Sequence, residues 1–292
     1  MNILTFDIEE WYVEKAYRGG RAERYREFDN YLSYILDLLE LQGIKATFFC
    51  VGIMGRDYPE VIRRIQKQGH EIGCHSNIHT WLNKMSAEDC RKDTKEAIDS
   101  LEQCVGEKIW SYRAPAFSIG AKNKWVFDVL SECGIENDSS VYPAARDFGG
   151  FPTFGYQKPV AVQTENGIVK EFPIPLCKVL GKPMAFSGGG YFRLFPTWLL
   201  KNKICKEEYS MIYLHIADML PETKHVMSRK DYEDYFKEKG TLYARYKRYV
   251  KANIGKQGTI EKLREIVRLN NFVSVREASN IINWADAPFI QL

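Results

Sequence analysis

Short apolar runs alternate with amphipathic stretches along most of this chain, and each change of period predicts a change between strand and helix. Residues 2–8 are predicted to form a buried strand that ends in acidic side chains, and residues 45–51 a second strand covered on both faces. Similar apolar runs predict further strands at 70–75, 109–113, 135–139, 169–174, 210–215 and 272–275. Helical spacing predicts helices at 28–42, 59–68, 86–105, 122–133, 196–206, 231–250, 259–270 and 276–284.

Strand and helix therefore follow one another seven or eight times, which predicts a parallel α/β architecture and suits a barrel. No internal repeat, low-complexity tract or linker interrupts the chain, so residues 1–292 are expected to form a single domain. Residues 141–168 are rich in glycine, proline and aromatic residues. They are predicted to form a long ordered loop, which in a compact domain is usually functional.

Polar residues at the ends of the predicted strands are the candidates for chemistry. In a parallel barrel these ends converge on one face, where active sites are built. Helix caps and loop salt bridges would explain any one of these residues, but agreement among several strand ends favours a shared site. The residues are Asp7, His75, Arg113, Asp138 and His215.

The paired histidines His75 and His79 lie just after a predicted strand. If the chain turns helical there, their spacing of four residues places both imidazoles on one face, where they could bind one divalent metal ion. Two surface histidines that happen to be close are the plainer alternative. A third ligand would come from the carboxylates at the end of the first strand, Asp7, Glu9 and Glu10.

Five short motifs, taken in order, resemble those of the NodB-homology polysaccharide deacetylases, carbohydrate esterase family 4, over about residues 2–220. The stretches at 113–119, 138–143 and 188–194 are similar to the branch found beside bacterial exopolysaccharide genes. The resemblance implies a distorted (β/α) barrel and a metal-dependent hydrolase that removes N-acetyl groups from an amino-sugar glycan or a lipid-linked saccharide. The motifs are Thr5-Phe6-Asp7-Ile8-Glu9-Glu10, His75-Ser76-Asn77-Ile78-His79, Tyr112-Arg113-Ala114-Pro115-Ala116-Phe117, Asn137-Asp138-Ser139-Ser140 and Leu214-His215.

The resemblance also implies how the metal ion is held. His75 and His79 match the two metal-binding histidines of the family, and Asp7 matches its catalytic base. The metal-binding aspartate that usually follows the base is replaced here by Ile8. Glu9, two positions after the base, is the expected third ligand, and the adjacent Glu10 is the alternative. Zinc is the expected metal, and cobalt, nickel or iron would suit the same ligands.

Further roles follow from the remaining motifs. Arg113 resembles the arginine that orients the base, and His215 resembles the catalytic acid. Asp138 resembles the aspartate that pairs with that acid, although a helix N-cap would also explain it. The backbone N–H of Ala116 is expected to help hold the oxyanion of the reaction.

Substrate contacts are expected from exposed aromatic side chains, because aromatic faces pack on sugar rings. A place in the protein core is an equally open reading for one of these residues, Phe117. The glycines at 188–190 are expected to allow a tight turn or a close backbone approach. The aromatic candidates are Trp11, Tyr12, Phe117, Tyr191 and Phe192.

Charge and composition narrow the partners. A net charge of +3 argues against a dedicated nucleic-acid binder. No apolar run reaches the roughly 18 residues of a transmembrane helix. Seven cysteines without paired spacing are expected to be thiols, and with no leader peptide recognised this favours the cytoplasm. The basic aromatic stretch at 243–251 leaves contact with an anionic glycan or a membrane surface open.

Two other functions stay open from the sequence alone. One is a C–N hydrolase that acts on a small cyclic or linear amide. The other is a non-catalytic glycan-binding protein that has kept the fold, as the altered first motif would allow.

Overall fold

The computed structural model describes residues 1–146, 149–179, 182–220, 225–236 and 238–292. Its strands are β1 Asn2–Ile8, β2 Thr47–Cys50, β3 Glu71–Cys74, β4 Ser111–Tyr112, β5 Asn137–Asp138, β6 Val160–Thr164, β7 Gly167–Glu171, β8 Leu176–Val179, β9 Lys182–Ala185, β10 Ser210–His215, β11 Phe272–Val273 and β12 Phe289–Gln291. Its α-helices are α1 Glu10–Arg18, α2 Ala22–Leu41, α3 Met54–Asp57, α4 Pro59–Lys67, α5 Ala87–Val105, α6 Val126–Glu132, α7 Gly189–Leu194, α8 Thr197–Lys206, α9 Arg229–Phe236, α10 Leu242–Asn253, α11 Thr259–Leu269 and α12 Val275–Ile281.

One mainly parallel sheet organises these elements. Its parallel strands lie in the order β10-β1-β2-β3-β4-β5-β7, which confirms the predicted α/β architecture. The short strand β11 pairs with the start of β1. Beyond β7 the sheet continues through the antiparallel β6 and then β12. Because the parallel strands share one direction, their carboxyl ends meet at one edge of the sheet.

The alternation of side chains along β1 decides which residues face the helices. Leu4 and Phe6 belong to the larger apolar cluster, which also contains residues of α2, α4 and α5. Ile3 lies in the second apolar cluster on the opposite face of the sheet. Since side chains alternate with a period of two, Thr5 and Asp7 share the face of Ile3.

The approach of the chain to β10 requires a glycine. Gly188 forms an isolated bridge with Tyr213, and a Cβ atom built on Gly188 would lie 1.8 Å from the tyrosine ring. This confirms the close backbone approach expected of the glycine run.

The structure differs from the predicted elements in several places. The nine-residue helix α1 was missed, because it starts directly after β1 and shows only a little more than two turns of pattern. The predicted helix at 231–250 is divided into α9 and α10, with Thr241 capping the second. The predicted loop at 141–168 contains β6, and β7 already begins at Gly167, because the two strands pair as one short antiparallel hairpin. Residues 147–148 of that loop and residue 237 of the predicted helix lie outside the described residues.

The cysteines and the helices test two further predictions, free thiols and the lack of a transmembrane helix. All seven cysteines are free thiols, as expected. Within the described parts of the chain, none of the helices has both the length and the apolar character needed to cross a bilayer. The compartment stays a prediction from the sequence.

A buried histidine makes the stability of this fold depend on pH. His70 precedes β3, is 4% exposed, and its Nδ1 accepts the N–H of Ala46 at 3.3 Å. Burial, together with the charge of Lys45, lowers the pKa of His70 from 6.5 to about 4. Between these two values the unfolded chain binds a proton that the folded protein does not bind, so low pH favours unfolding.

We therefore expect the free energy of unfolding to decrease as the pH falls from about 6.5 to about 4, by at most about 3 kcal/mol from His70. His70→Asn keeps an acceptor for Ala46 and removes the titration, so urea unfolding of this variant should depend less on pH. His225→Asn changes an exposed histidine and is the matched control. Equal pH dependence in His70→Asn and in the unmodified protein would contradict this account.

Candidate active site

Three side chains at the carboxyl ends of β1 and β3 form a cluster that can hold a metal ion. Glu9 follows β1 directly, His75 follows β3 directly, and His79 lies further along the same loop. Their ligand atoms all lie within 4.8 Å of one another. Glu9 Oε2 is 2.5 Å from His79 Nε2 and 3.9 Å from His75 Nε2.

The donor atoms of this cluster fit a divalent cation. The Nδ1 atom of His75 lies 2.7 Å from the carbonyl oxygen of Arg113, so the ring donates from Nδ1 and keeps a lone pair on Nε2. Burial lowers the pKa of His75 to about 4 and keeps the ring neutral. Burial alone would raise the pKa of Glu9, but His79 outweighs it and holds the carboxylate ionised. Two imidazole nitrogens and one carboxylate oxygen form a common ligand set for zinc and related metals.

The loop that carries the two histidines is not helical, so the helical geometry considered for His75 and His79 is wrong. Ser76 and His79 both adopt left-handed backbone conformations, with φ of 63° and 59°. Such conformations are strained for residues other than glycine and persist only where the surroundings fix them. Asp93 helps to fix the loop by accepting the N–H of Asn77 at 2.9 Å. In this loop conformation the ring centroids of His75 and His79 lie 5.2 Å apart.

A buried arginine holds Asp7 beside this cluster. Arg113 is fully buried, and its Nη1 donates to Asp7 Oδ1 and to Thr5 Oγ1, each at 2.8 Å. Burial would raise the pKa of Asp7, but the charges of Arg113, His75 and His215 outweigh it and lower the pKa. Asp7 is therefore an ionised carboxylate that can accept a proton from a bound water.

His215 faces Asp7 from the end of β10. Its Nε2 lies 3.7 Å from Asp7 Oδ2 and 4.0 Å from Glu9 Oε1. On the other side of the ring, Nδ1 lies 3.3 Å from Asp218 Oδ2, and Asp218 also accepts the backbone N–H of His215 at 2.9 Å. Burial would lower the pKa of His215, but Asp218, Glu9 and Asp7 raise it to about 10. The imidazole is then protonated at neutral pH and can give up a proton.

The carboxylate beside His215 is Asp218, so the expected pairing of His215 with Asp138 is wrong. Asp138 ends β5, which is separated from β10 by four strands in the sheet. It accepts a hydrogen bond from Ser140 and lies next to the carboxyl group of Glu171. Burial, together with the charge of Asp138, raises the pKa of Glu171 and so favours the protonated form of this carboxyl group.

The carboxylate of Glu10 binds backbone N–H groups and is not part of the cluster with the two histidines. Its Oε1 accepts the N–H of Ala217 at 2.7 Å, and its Oε2 accepts the N–H of Glu9 at 3.3 Å. Glu10 thereby ties the turn after β10 to the end of β1. Both Glu9 and Glu10 lie beyond β1, which ends at Ile8, so the alternation of side chains along the strand does not decide between them.

Three of the aromatic residues proposed for sugar binding belong to the core instead. Trp11 is 2% exposed and packs on Phe28, and Phe192 is fully buried. Phe117 is also buried, at 4.9 Å from the ring of Tyr213. These corrections have one cause, because side chains this large near strand ends are needed to fill the space between sheet and helices. The half-buried candidates Tyr12 and Tyr191 retain some exposed surface.

Sequence reasoning missed two residues of the site, Asp218 and Arg193. Asp218 follows His215 by three residues, and the two form a capping box around a 3₁₀ turn. That spacing is visible in the sequence and could have drawn attention to Asp218. Arg193, whose Nε lies 3.3 Å from Asp218 Oδ1, comes from α7 and has no comparable signal.

Two family models match this chain. Residues 3–137 match the family described as polysaccharide deacetylase, and residues 139–280 match a domain of unknown function, DUF3473. The three candidate metal ligands, Asp7 and Arg113 come from the first matched region. His215 and Asp218 come from the second, so the site needs both.

Curated relatives match over shorter stretches. A peptidoglycan-N-acetylglucosamine deacetylase of Bacillus cereus is 31% identical over 106 residues, which cover 36% of this chain and 48% of that protein. A chitooligosaccharide deacetylase of Sinorhizobium fredii is 30% identical over 118 residues, covering 38% and 52%. The matched stretch thus spans about half the length of these two relatives.

Solved structures show the fold. A Mycobacterium smegmatis protein assigned to the polysaccharide deacetylases aligns with 100% of this chain and 92% of its own, at a TM-score of 0.66 and 17% identity. The 4-alpha-glucanotransferase of Thermococcus litoralis aligns with 100% of this chain and 42% of its own, at 0.61 and 12%. Together with the parallel sheet, these matches support the distorted barrel expected from the sequence.

The cluster makes a direct prediction about metal binding. Glu9→Gln removes the charged ligand while keeping its shape, so zinc affinity should fall by at least about 100-fold. Glu10→Gln is the matched control one residue along the chain and should keep the affinity. The measurement is zinc titration against a competing chelator, with circular dichroism to verify folding. Full binding by Glu9→Gln combined with loss in Glu10→Gln would identify Glu10 as the third ligand instead.

Proposed function

Because this chain belongs to the NodB-type polysaccharide deacetylases, carbohydrate esterase family 4, we propose that it is a metal-dependent hydrolase of N-acetyl groups on an amino-sugar glycan or a lipid-linked saccharide. One observation carries the proposal. An ionised carboxylate and a protonated imidazole, Asp7 and His215, face each other at 3.7 Å beside three side chains suited to a metal ion. This is the arrangement needed to activate water on one side of an amide and to protonate the amine on the other.

The metal ion would be held by Glu9, His75 and His79. We propose zinc, because two histidines and one carboxylate are a common ligand set of catalytic zinc sites and leave a coordination position open for water or substrate. Cobalt, nickel and iron suit the same ligands. When bound, the ion would lower the pKa of a water molecule and polarise the acetyl carbonyl.

Asp7 and His215 would divide the proton transfers of the hydrolysis. Asp7 accepts a proton from the attacking water, and Arg113 holds its carboxylate in position through the hydrogen bond at 2.8 Å. As the C–N bond of the amide breaks, His215 gives its proton to the departing nitrogen. The products are acetate and the free amino sugar, and one water is consumed.

We propose that the backbone N–H of Ala116 donates a hydrogen bond to the oxyanion that forms during the hydrolysis. Ala116 and Phe117 adopt left-handed conformations, with φ of 55° and 53°. The N–H of Gly150 donates to the carbonyl of Phe117 at 2.9 Å and helps to fix this loop. A fixed N–H needs no reorganisation when charge develops on the substrate.

We further propose that residues 1–292 act as one catalytic domain. Strands from both family-matched regions lie in one sheet, and β1 pairs directly with β10. For the substrate, we favour an exopolysaccharide precursor, because the stretches at 113–119, 138–143 and 188–194 resemble that branch of the family. Tyr12 and Tyr191 are the remaining candidates for contact with the sugar rings.

The test is acetate release by the metal-reconstituted protein from N-acetylglucosamine oligomers, with small cyclic and linear amides assayed in parallel. Acetate from the oligomers supports the proposal. Turnover of the small amides alone favours the C–N hydrolase hypothesis. Glycan binding without turnover of any substrate favours the non-catalytic hypothesis.

The acid and base assignments predict similar losses of rate. Asp7→Asn removes the proton acceptor, and His215→Ala removes the proton donor. Each variant should lower kcat by about 10²- to 10⁴-fold, because general acid–base groups contribute on that order. Zinc titration should give nearly unchanged binding in both, which separates a catalytic loss from a lost metal. Near-normal kcat in His215→Ala across the pH range would remove the acid assignment.

The partner of the acid can be identified from the pH dependence of kcat. Asp218→Asn removes the carboxylate that raises the pKa of His215, so the imidazole loses its proton at lower pH. The alkaline limb of the profile should therefore move to lower pH. Asp138→Asn, the matched substitution in the other candidate, should leave the limb in place. The opposite result would restore Asp138 as the partner.

A further inference from the structure

A buried lysine lines a cavity next to the turn that follows His215. The cavity has a volume of about 420 Å³ and lies between Tyr31 of α2, Met219 after the turn, and the start of α11. Lys256 lines this cavity and is only 9% exposed. Among the described residues, no hydrogen bond or ion pair reaches its ammonium group. A buried charge is costly unless an opposite charge accompanies it.

The charges around Lys256 are mostly of the same sign. Burial and the charge of Arg193 lower the pKa of Lys256 to about 8, and Arg24 and Arg18 act in the same direction. Asp218 opposes them, but it is already 3.3 Å from Arg193 and 3.3 Å from the imidazole of His215. Within the described parts of the chain, the ammonium group therefore has no counter-charge of its own.

The start of α11 presents hydrogen-bond donors to the same cavity. Gly258 precedes the helix in a left-handed conformation, with φ of 81°, and no side chain caps the first turn. The first-turn N–H groups of a helix have no partner inside the helix, and the helix dipole makes them favourable for negative charge. The N–H of Thr259 already donates to the carbonyl of Lys256 at 3.2 Å, so the next two N–H groups, those of Ile260 and Glu261, are the donors that a ligand would meet. Gln257 and Thr259 also line the cavity, while Glu261 lines it with an exposed side chain.

We propose that this cavity is a binding site for a phosphate-class oxyanion, held by Lys256 and by the N-terminus of α11. The oxyanion supplies the missing counter-charge and accepts hydrogen bonds from the ammonium and the helix N–H groups. A volume of about 420 Å³ exceeds the space of a single ion and leaves room for the group that carries it. Two sources share this chemistry, free inorganic phosphate and a phosphate ester on a sugar substrate.

The binding test does not depend on the proposed function, because it measures stability without turnover. Inorganic phosphate should raise the midpoint of unfolding above that in chloride at equal ionic strength. At a concentration of ten times its Kd, phosphate makes the folded state about 11-fold more favoured. In Lys256→Met, phosphate should no longer raise the midpoint of unfolding. In chloride alone this variant should be at least as stable as the unmodified protein, because it removes an uncompensated buried charge.

Lys247→Met is the matched control, since it removes the same charge from an exposed position on α10. It should keep the phosphate increment. An equal increment in all three proteins would mean non-specific screening and would overturn the proposal. A phosphate increment absent from the unmodified protein, or a Lys256→Met variant destabilised in chloride, would also overturn it, since Lys256 would then have its counter-charge within the protein.

A kinetic comparison distinguishes the two sources and rests on the proposed function. If the substrate carries the oxyanion, Lys256→Met should raise KM about 10-fold for a phosphorylated N-acetylglucosamine and leave the neutral oligomers unchanged. If free phosphate is the ligand, KM should stay the same for both substrates while the stability increment is still lost. Inactivity on every substrate would count against the deacetylase proposal and leave the phosphate titration unaffected.

Discussion

The structure of this site depends on one buried cation, Arg113. It is fully enclosed, and its guanidinium contacts Asp7 and Thr5 of β1, Ser139 after β5 and the sulfur of Met211 in β10. Its carbonyl in turn faces His75 Nδ1 and fixes the tautomer of that ring. A buried ion pair of this kind is strongly destabilised when one partner is lost, because the other is left without compensation. Asp7, the ring of His75 and the strands β1, β5 and β10 are therefore all tied to a single residue.

The opposite wall of the site is built differently. His215 ends β10, and the short turn that follows it is held by Asp218 within the turn and by two side chains from distant parts of the chain. Asp218 accepts the backbone N–H of His215, Glu10 accepts that of Ala217, and Arg193 balances Asp218. None of these three contacts involves β-sheet hydrogen bonds, so this wall can change in sequence without altering the strands beneath it.

The sequence contains enough information to predict the strands and most of the residues that meet at their ends. Short apolar runs and Pro or Gly at helix ends are local signals, and Asp7, His75 and His215 lie at the ends of such runs. The spacing of three residues makes Asp218 a candidate partner of His215, but the choice between Asp138 and Asp218 also depends on which strands are neighbours in the sheet. Burial is equally non-local, and Trp11 and Phe192 show that an aromatic residue near a strand end gives no indication of which way it faces.

The hydrogen bond from Ala217 to Glu10 joins residues that are separated by 207 positions. β1 likewise pairs with β10 through residues that are far apart in the chain. Contacts of such long range form late, because closing a large loop costs entropy before the contact repays it. During synthesis the amino-terminal strand is made first, yet the edge that later receives β10 stays open until residues 210–215 emerge. An open strand edge of this kind can pair with other chains, so the interval before β10 docks is when this protein is most exposed to aggregation.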